Sequence, residues 1–170
     1  MDEYLVIGKI VNTHGIRGEI RVLSRFKYKD KVFVKDMSIY IGRNKDKEII
    51  NSYRHHKTFE MITLVGYDNI NQVLKYKGQM AYIKKSDLNL GENEYLDKDL
   101  IDLDVEIDGK IVGKVFDVND NGGGNKTLTL LINNKESFVP LISQFVKVSI
   151  SEKKVYVYPI EGMILWELIS

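Results

Sequence analysis

The sequence has no cysteine. That excludes disulfide stapling, thiolate catalysis and zinc held by cysteine together, and it suits a reducing cytosol. It has no apolar run near the roughly 18 residues that span a bilayer. The opening Met1-Asp2-Glu3-Tyr4 carries no basic segment of the kind that leads a secretory signal, so a soluble, unprocessed, cytoplasmic chain is expected. Long helical periodicity is almost absent, which argues against a helical bundle. A large net charge is missing as well: the chain stands at +1.

That small sum hides a segregation. Residues 1–88 carry 17 Lys and Arg against 10 Asp and Glu, a net +7, and all three histidines; residues 89–170 carry 8 against 14, a net −6. One half suits a polyanion, and the other suits a basic protein or is kept free of RNA. With 170 residues, 44% of them apolar, the chain is long enough for two small packed domains.

What is present is a series of short runs rich in Val, Ile and Tyr, separated by charged or Gly/Asn/Asp clusters. In the first half this predicts strands over Tyr4–Val11, Glu19–Leu23, Ser38–Ile41, Glu48–Arg54, Phe59–Leu64 and Gln79–Lys84, enough for a small closed barrel. One short helix fits between the last two. Asn69 caps it, Gln72 completes a capping box, Gly78 ends it, and Ile70, Val73 and Leu74 share its apolar face. The second half predicts strands over Asp104–Ile107, Val112–Val118, Leu128–Ile132, Ser137–Val139, Lys147–Ile150 and Lys154–Tyr158, with two-residue turns at Asp108-Gly109 and Asn133-Asn134. The fold class is therefore all-β (mainly β), as two small barrels. The polar stretch Lys84–Lys98, where the charge balance changes sign, holds the boundary.

Chemistry-bearing residues are few. In the segment Gly8–Val22, two strands flank a tight connection containing Gly15 and Gly18, and its amides together with Arg17 suit phosphate. The same pattern also serves as an ordinary turn. Arg21, Arg25, Lys27, Lys29 and Lys31 extend the basic character, and the interleaved Phe26 and Tyr28 would make it a stacking groove for RNA; a solvated loop reads equally well. His14 with Glu19 is the one acid/base pair the spacing offers, and nothing beside it completes a nucleophilic or hydrolytic set, so no catalytic residues are expected. His55 and His56 are adjacent, so a strand sends them to opposite faces and they do not chelate one metal; neither metal nor cofactor is expected. Gly122-Gly123-Gly124-Asn125-Lys126-Thr127 is not a phosphate-binding P-loop, because Asn125 and Asp120 stand where that pattern needs glycine, and a flexible hairpin loop is expected instead. Tyr95 and Leu96 lie among Glu94, Asp97 and Asp99 where the second barrel begins. This suits an anchor for a basic protein, and it equally suits a lid on the barrel core.

Taken in order, these segments resemble one family. Gly8–Val22 is similar to the N-terminal signature of RimM, and Tyr95–Val105 with Gly109–Val115 resembles the opening of that family's PRC-barrel domain. Val139-Pro140-Leu141, Val155–Tyr158 and Pro159–Ile164 resemble its closing strands and tail. The resemblance implies an N-terminal six-stranded barrel like those of translation factors over 1–88, a linker over 89–97 and a PRC barrel over 98–170. It also implies a ribosome maturation factor that binds the immature small ribosomal subunit through a head protein, small-subunit ribosomal protein nineteen, and assists rRNA folding and processing. The family ties a paired aromatic at the start of the PRC barrel to that binding. Here the pair is Tyr95 and Leu96, and leucine fills an apolar pocket without a ring. Two further departures are Asp102 in place of a glycine and Gln72-Val73 in place of an Ala-Glu pair.

The expected site therefore has two parts: Tyr95, Leu96, Asp97 and Asp99 toward the protein partner, and His14, Arg17, Arg21, Arg25 and Lys27 toward rRNA. The chain is expected to act as a monomer without enzymatic activity. The rivals are an rRNA-processing enzyme using His14 and Glu19, and a general PRC-barrel adaptor.

Overall fold

The structure is a computed structural model that describes residues 2–165. The chain divides into two compact units, Met1–Asn89 and Leu90–Ser170. No helix among the described residues is long and apolar enough to cross a membrane.

The first unit contains β1 (Tyr4–His14), β2 (Glu19–Leu23), α1 (Lys29–Val32), β3 (Ser38–Ile41), β4 (Asp46–His56), β5 (Phe59–Leu64), α2 (Ile70–Val73) and β6 (Met80–Lys84). Its strands close into a barrel in the order β1-β2-β5-β4-β3-β6. Alternation sorts the side chains: Ile20, Val22 and Ile62 turn into the core while Glu19, Arg21 and Leu23 stay on the outer face. Ile7, Ile10, Ile39, Ile41, Leu64 and Ile83 complete that core. A fully buried aliphatic side chain contributes about 1.5–3 kcal/mol. Closure brings β1 hard against β2 at Gly8, where a Cβ would lie 2.6 Å from a Val22 methyl, so only glycine fits.

α2 starts as its capping residues dictate. The Asn71 amide donates to Asn69 Oδ1 (2.7 Å), and the Asn69 amide donates to Gln72 Oε1 (3.1 Å). After Val73 the chain tightens into a 3-10 turn over Leu74–Tyr76. That tightening corrects the expected helix face: Leu74 is left exposed, and Tyr76 enters the core in its place.

The second unit contains β7 (Asp104–Ile107), β8 (Lys110–Asp120), β9 (Lys126–Ile132), β10 (Lys135–Pro140), β11 (Val146–Ser149) and β12 (Lys154–Val157). They form one sheet in the order β10-β9-β8-β7-β12-β11, with β7 and β12 parallel and the other neighbours antiparallel. The sheet is open: β10 and β11 are its edges and share no ladder among the described residues. It wraps a core of its own built from Leu100, Val105, Val115, Leu128, Leu130 and Val155. Asp108 and Gly109, and again Asn133 and Asn134, all have positive φ, the conformation that two-residue hairpins demand. Gly113 is held by packing, because a Cβ there would lie 2.1 Å from the Leu131 carbonyl oxygen. β1, β4, β8 and β10 run longer than the sequence suggests, and β11 begins one residue earlier.

Candidate nucleic-acid and partner interfaces

The hairpin of β1 and β2 places His14 opposite Glu19, with Gly15 and Gly18 at positive φ in the turn between them. Arg21 pairs across to Met61 on β5, which pairs to Arg54 on β4, while His56 pairs with Phe59. Because strand faces alternate, His14, Glu19, Arg21, Arg54, His56 and Phe59 all lie on the outer face of the barrel wall. Of the five sequence-derived rRNA candidates, the structure brings together His14 and Arg21. Arg17 is exposed at the hairpin tip, and Arg25 and Lys27 are exposed beyond β2.

Arg21 Nη2 donates to His14 Nδ1 at 2.7 Å, and its guanidinium carbon lies 5.5 Å from the centroid of the Phe59 ring. A guanidinium has no acceptor, so His14 accepts on Nδ1 and carries its proton on Nε2. Arg21 Nε is buried with no hydrogen-bond partner, an arrangement that costs about 1–3 kcal/mol for a buried donor. Glu19 is fully engaged elsewhere, because Arg54 donates to both its oxygens at 2.7 and 2.9 Å. That bidentate bond holds its carboxyl below the usual carboxylate range. No hydrogen bond joins His14 to Glu19, and a carboxylate held ionised by arginine is poorly matched to proton transfer near neutral pH. His56 lies 6.4 Å from His14 between ring centroids. Its pKa is lowered by desolvation and then by repulsion from Arg54, Lys57, His14 and Arg21.

On the inner face of the same wall, Glu60 is only 2% exposed. It accepts from Tyr53 Oη (2.9 Å) and lies 3.0 Å from His55 Nδ1. Burial, followed by the bond to Glu60, pushes the Tyr53 hydroxyl up to about 12. His55 and His56 therefore do turn to opposite faces, and the described residues contain no cluster able to hold a metal ion.

Two expectations change here. Tyr28 is buried and Phe26 packs against the first core, so neither offers a free stacking face. The aromatic that does accompany the cations is Phe59, which lies far from Arg21 in sequence and is found only through the β2–β5 register. A cleft of about 260 Å³ lies elsewhere on the unit, lined by Gly42, Arg43, Asn44, Lys75, Tyr76 and Gln79. Tyr76, which lines it, donates from its hydroxyl to Glu48, and Glu48 also accepts from Tyr67 Oη (2.5 Å).

In the second unit, Tyr95 is half-buried and packs against the core. Leu96, also half-buried, precedes a 3-10 turn over Asp97–Leu100, and its amide donates to Asp99 Oδ2 (3.0 Å). Asp97 pairs with Lys126 at 2.5 Å. Two of the four partner-binding candidates thus have structural duties of their own. The largest exposed apolar side chains of this unit are found instead on the sheet, among them Phe116 and Phe138, each 55% exposed. The Gly122–Gly124 stretch is a hairpin loop closed by the Asn121 amide donating to the Asn125 carbonyl (2.8 Å).

Comparison with known proteins matches residues 5–88 to the RimM N-terminal domain. A protein named ribosome maturation factor RimM from Exiguobacterium sp. is 32% identical, covering 95% of this chain and 97% of that protein. One of the same name from Geobacillus kaustophilus is 34% identical, over 96% of this chain and 98% of its own length. A crystal structure from Pseudomonas aeruginosa, titled as a 16S ribosomal RNA processing protein RimM, is 22% identical with a TM-score of 0.47, covering 93% of this chain and 98% of that one.

Proposed function

This chain belongs to the RimM family of ribosome maturation factors, and from that premise we propose that it binds the immature small ribosomal subunit and assists the folding and processing of its rRNA. In this reading it acts in the cytoplasm as a monomeric binding factor, without metal, cofactor or catalytic residue. The first unit faces rRNA. The second, with residues 98–170 as a PRC barrel and 89–97 as its linker, grips a basic head protein, small-subunit ribosomal protein nineteen, through Tyr95 and Leu96.

The observation that supports this most is the charge division. The net +7 of residues 1–88 and the −6 of the remainder coincide with the two compact units, because Asn89 is uncharged. Opposite fields on separate folded bodies suit two partners of opposite sign. The outer wall of the first barrel adds Arg17 and Arg21 in an exposed or half-exposed setting.

Salt dependence tests it. Each phosphate contact steepens the fall of log affinity with log salt by about 0.9 in duplex and 0.7 in single strands. Arg17→Glu with Arg21→Glu should lower binding to the immature subunit and flatten that slope by about two contacts' worth. An unchanged slope, measured by filter binding over a salt series, rules out RNA contact through this wall.

A further inference from the structure

We infer that the outer wall formed by β1, β2, β4 and β5 carries a seat for one phosphate group of single-stranded RNA, made by Arg21, His56 and His14 with Phe59 beside them. This rests on the reading of the first unit as the RNA-facing one, and it narrows that reading from a basic surface to a particular set of donors.

Four strands bring cations together here and supply one carboxylate. Glu19 has both oxygens committed to Arg54, at 2.7 and 2.9 Å, so it is not available to Arg21. Arg21 makes no ion pair among the described residues. It is fixed from two sides instead, by its 2.7 Å bond to His14 and by the Phe59 ring at 5.5 Å. Arg21 Nε is buried and unsatisfied, so the guanidinium keeps its charge without a carboxylate partner and has its remaining amino group to offer an anion.

The groups that surround His56 are His14 on β1, Glu19 and Arg21 on β2, Arg54 on β4, Phe59 on β5 and Lys57 in the connecting turn. His55 and Glu60 face the other way. Desolvation first, and then Arg54, Lys57, His14 and Arg21, favour the neutral form of His56. A bound phosphate inverts this field. It draws a proton onto His56 and accepts from Arg21 and from the Nε2 proton of His14. Phe59 and the two imidazoles provide ring faces of the kind on which unpaired bases stack, which favours single-stranded RNA over a lone phosphate ion.

The test follows the three histidine side chains of the full chain by nuclear magnetic resonance across a pH series. Separate arms contain no addition, inorganic phosphate, or a short single-stranded RNA oligonucleotide. We expect RNA and phosphate each to move the His14 and His56 signals and to raise the midpoint of His56 titration. His55, which turns to the opposite face and bonds Glu60, should stay unchanged and report that the barrel is folded. Arg21→Gln should abolish the shift and reduce the salt slope of RNA binding by about one. If neither ligand moves His56, the seat does not exist, and the broader reading survives provided Arg17→Glu with Arg25→Glu still weakens RNA binding. A response to phosphate without one to RNA overturns the RNA assignment. A response to RNA without one to phosphate shows stacking alone and overturns the phosphate seat.

Discussion

The two units solve the edge problem of a six-stranded sheet differently. The first closes on itself, so every strand has two neighbours, and its wall can hold a buried carboxylate, Glu60, satisfied by Tyr53 and His55. The second stays open, buries mostly aliphatic side chains and leaves Phe116 and Phe138 exposed on its surface. The closed, basic unit concentrates fixed polar groups on its wall, as the capture of a charged, hydrated ligand requires. The open, acidic unit offers area and rings, as protein recognition requires.

The largest effect expected from this contrast is on independence of folding. Leu130→Ala removes a fully buried side chain from the second core and should cost about 2–5 kcal/mol. Hydrogen exchange should show protection lost in β7–β12 and retained in β1–β6; loss in both would mean that the units share one cooperative transition. Next, Glu60→Ala removes the charged acceptor that Tyr53 and His55 share and should destabilise the first unit by about 1.5–3 kcal/mol, seen as a lower urea midpoint. Tyr95→Ala should weaken affinity for small-subunit ribosomal protein nineteen by roughly 1–3 kcal/mol in titration calorimetry while leaving RNA affinity intact. A parallel loss of RNA binding would erase the division of labour.

The smallest effect concerns pH. Arg54 depresses the Glu19 pKa in the folded state, so this pair contributes stability above the ordinary carboxylate value of 4.5, and the contribution disappears as pH falls through the lowered one. Arg54→Ala should therefore be less stable than the parent at neutral pH and converge with it in acid. Denaturation midpoints that stay apart at low pH would refute the assignment.

Local signals carried well from sequence to structure, and long-range ones did not. Asp108-Gly109 and Asn133-Asn134 specify their turns through the conformations those residues tolerate, and Asn69 with Gln72 specifies a helix start through two hydrogen bonds. The outer-wall cluster depends on which strands become neighbours. Nothing near Arg21 in sequence announces Phe59 or Arg54, and the burial of Tyr28 follows from the path of the chain after β2. Asp97 likewise has an ion-pair partner that its neighbours in sequence do not announce, Lys126, 29 positions away.

The parallel pairing of β7 with β12 sets an order on biosynthesis. β6, which seals the first barrel against β1 and β3, ends at Lys84, so that unit has all its strands at mid-chain and can fold while translation continues. The second sheet has a gap beside β7 until residue 157 leaves the exit tunnel. The nascent chain thus completes its cationic half before its anionic half can close the gap in its sheet.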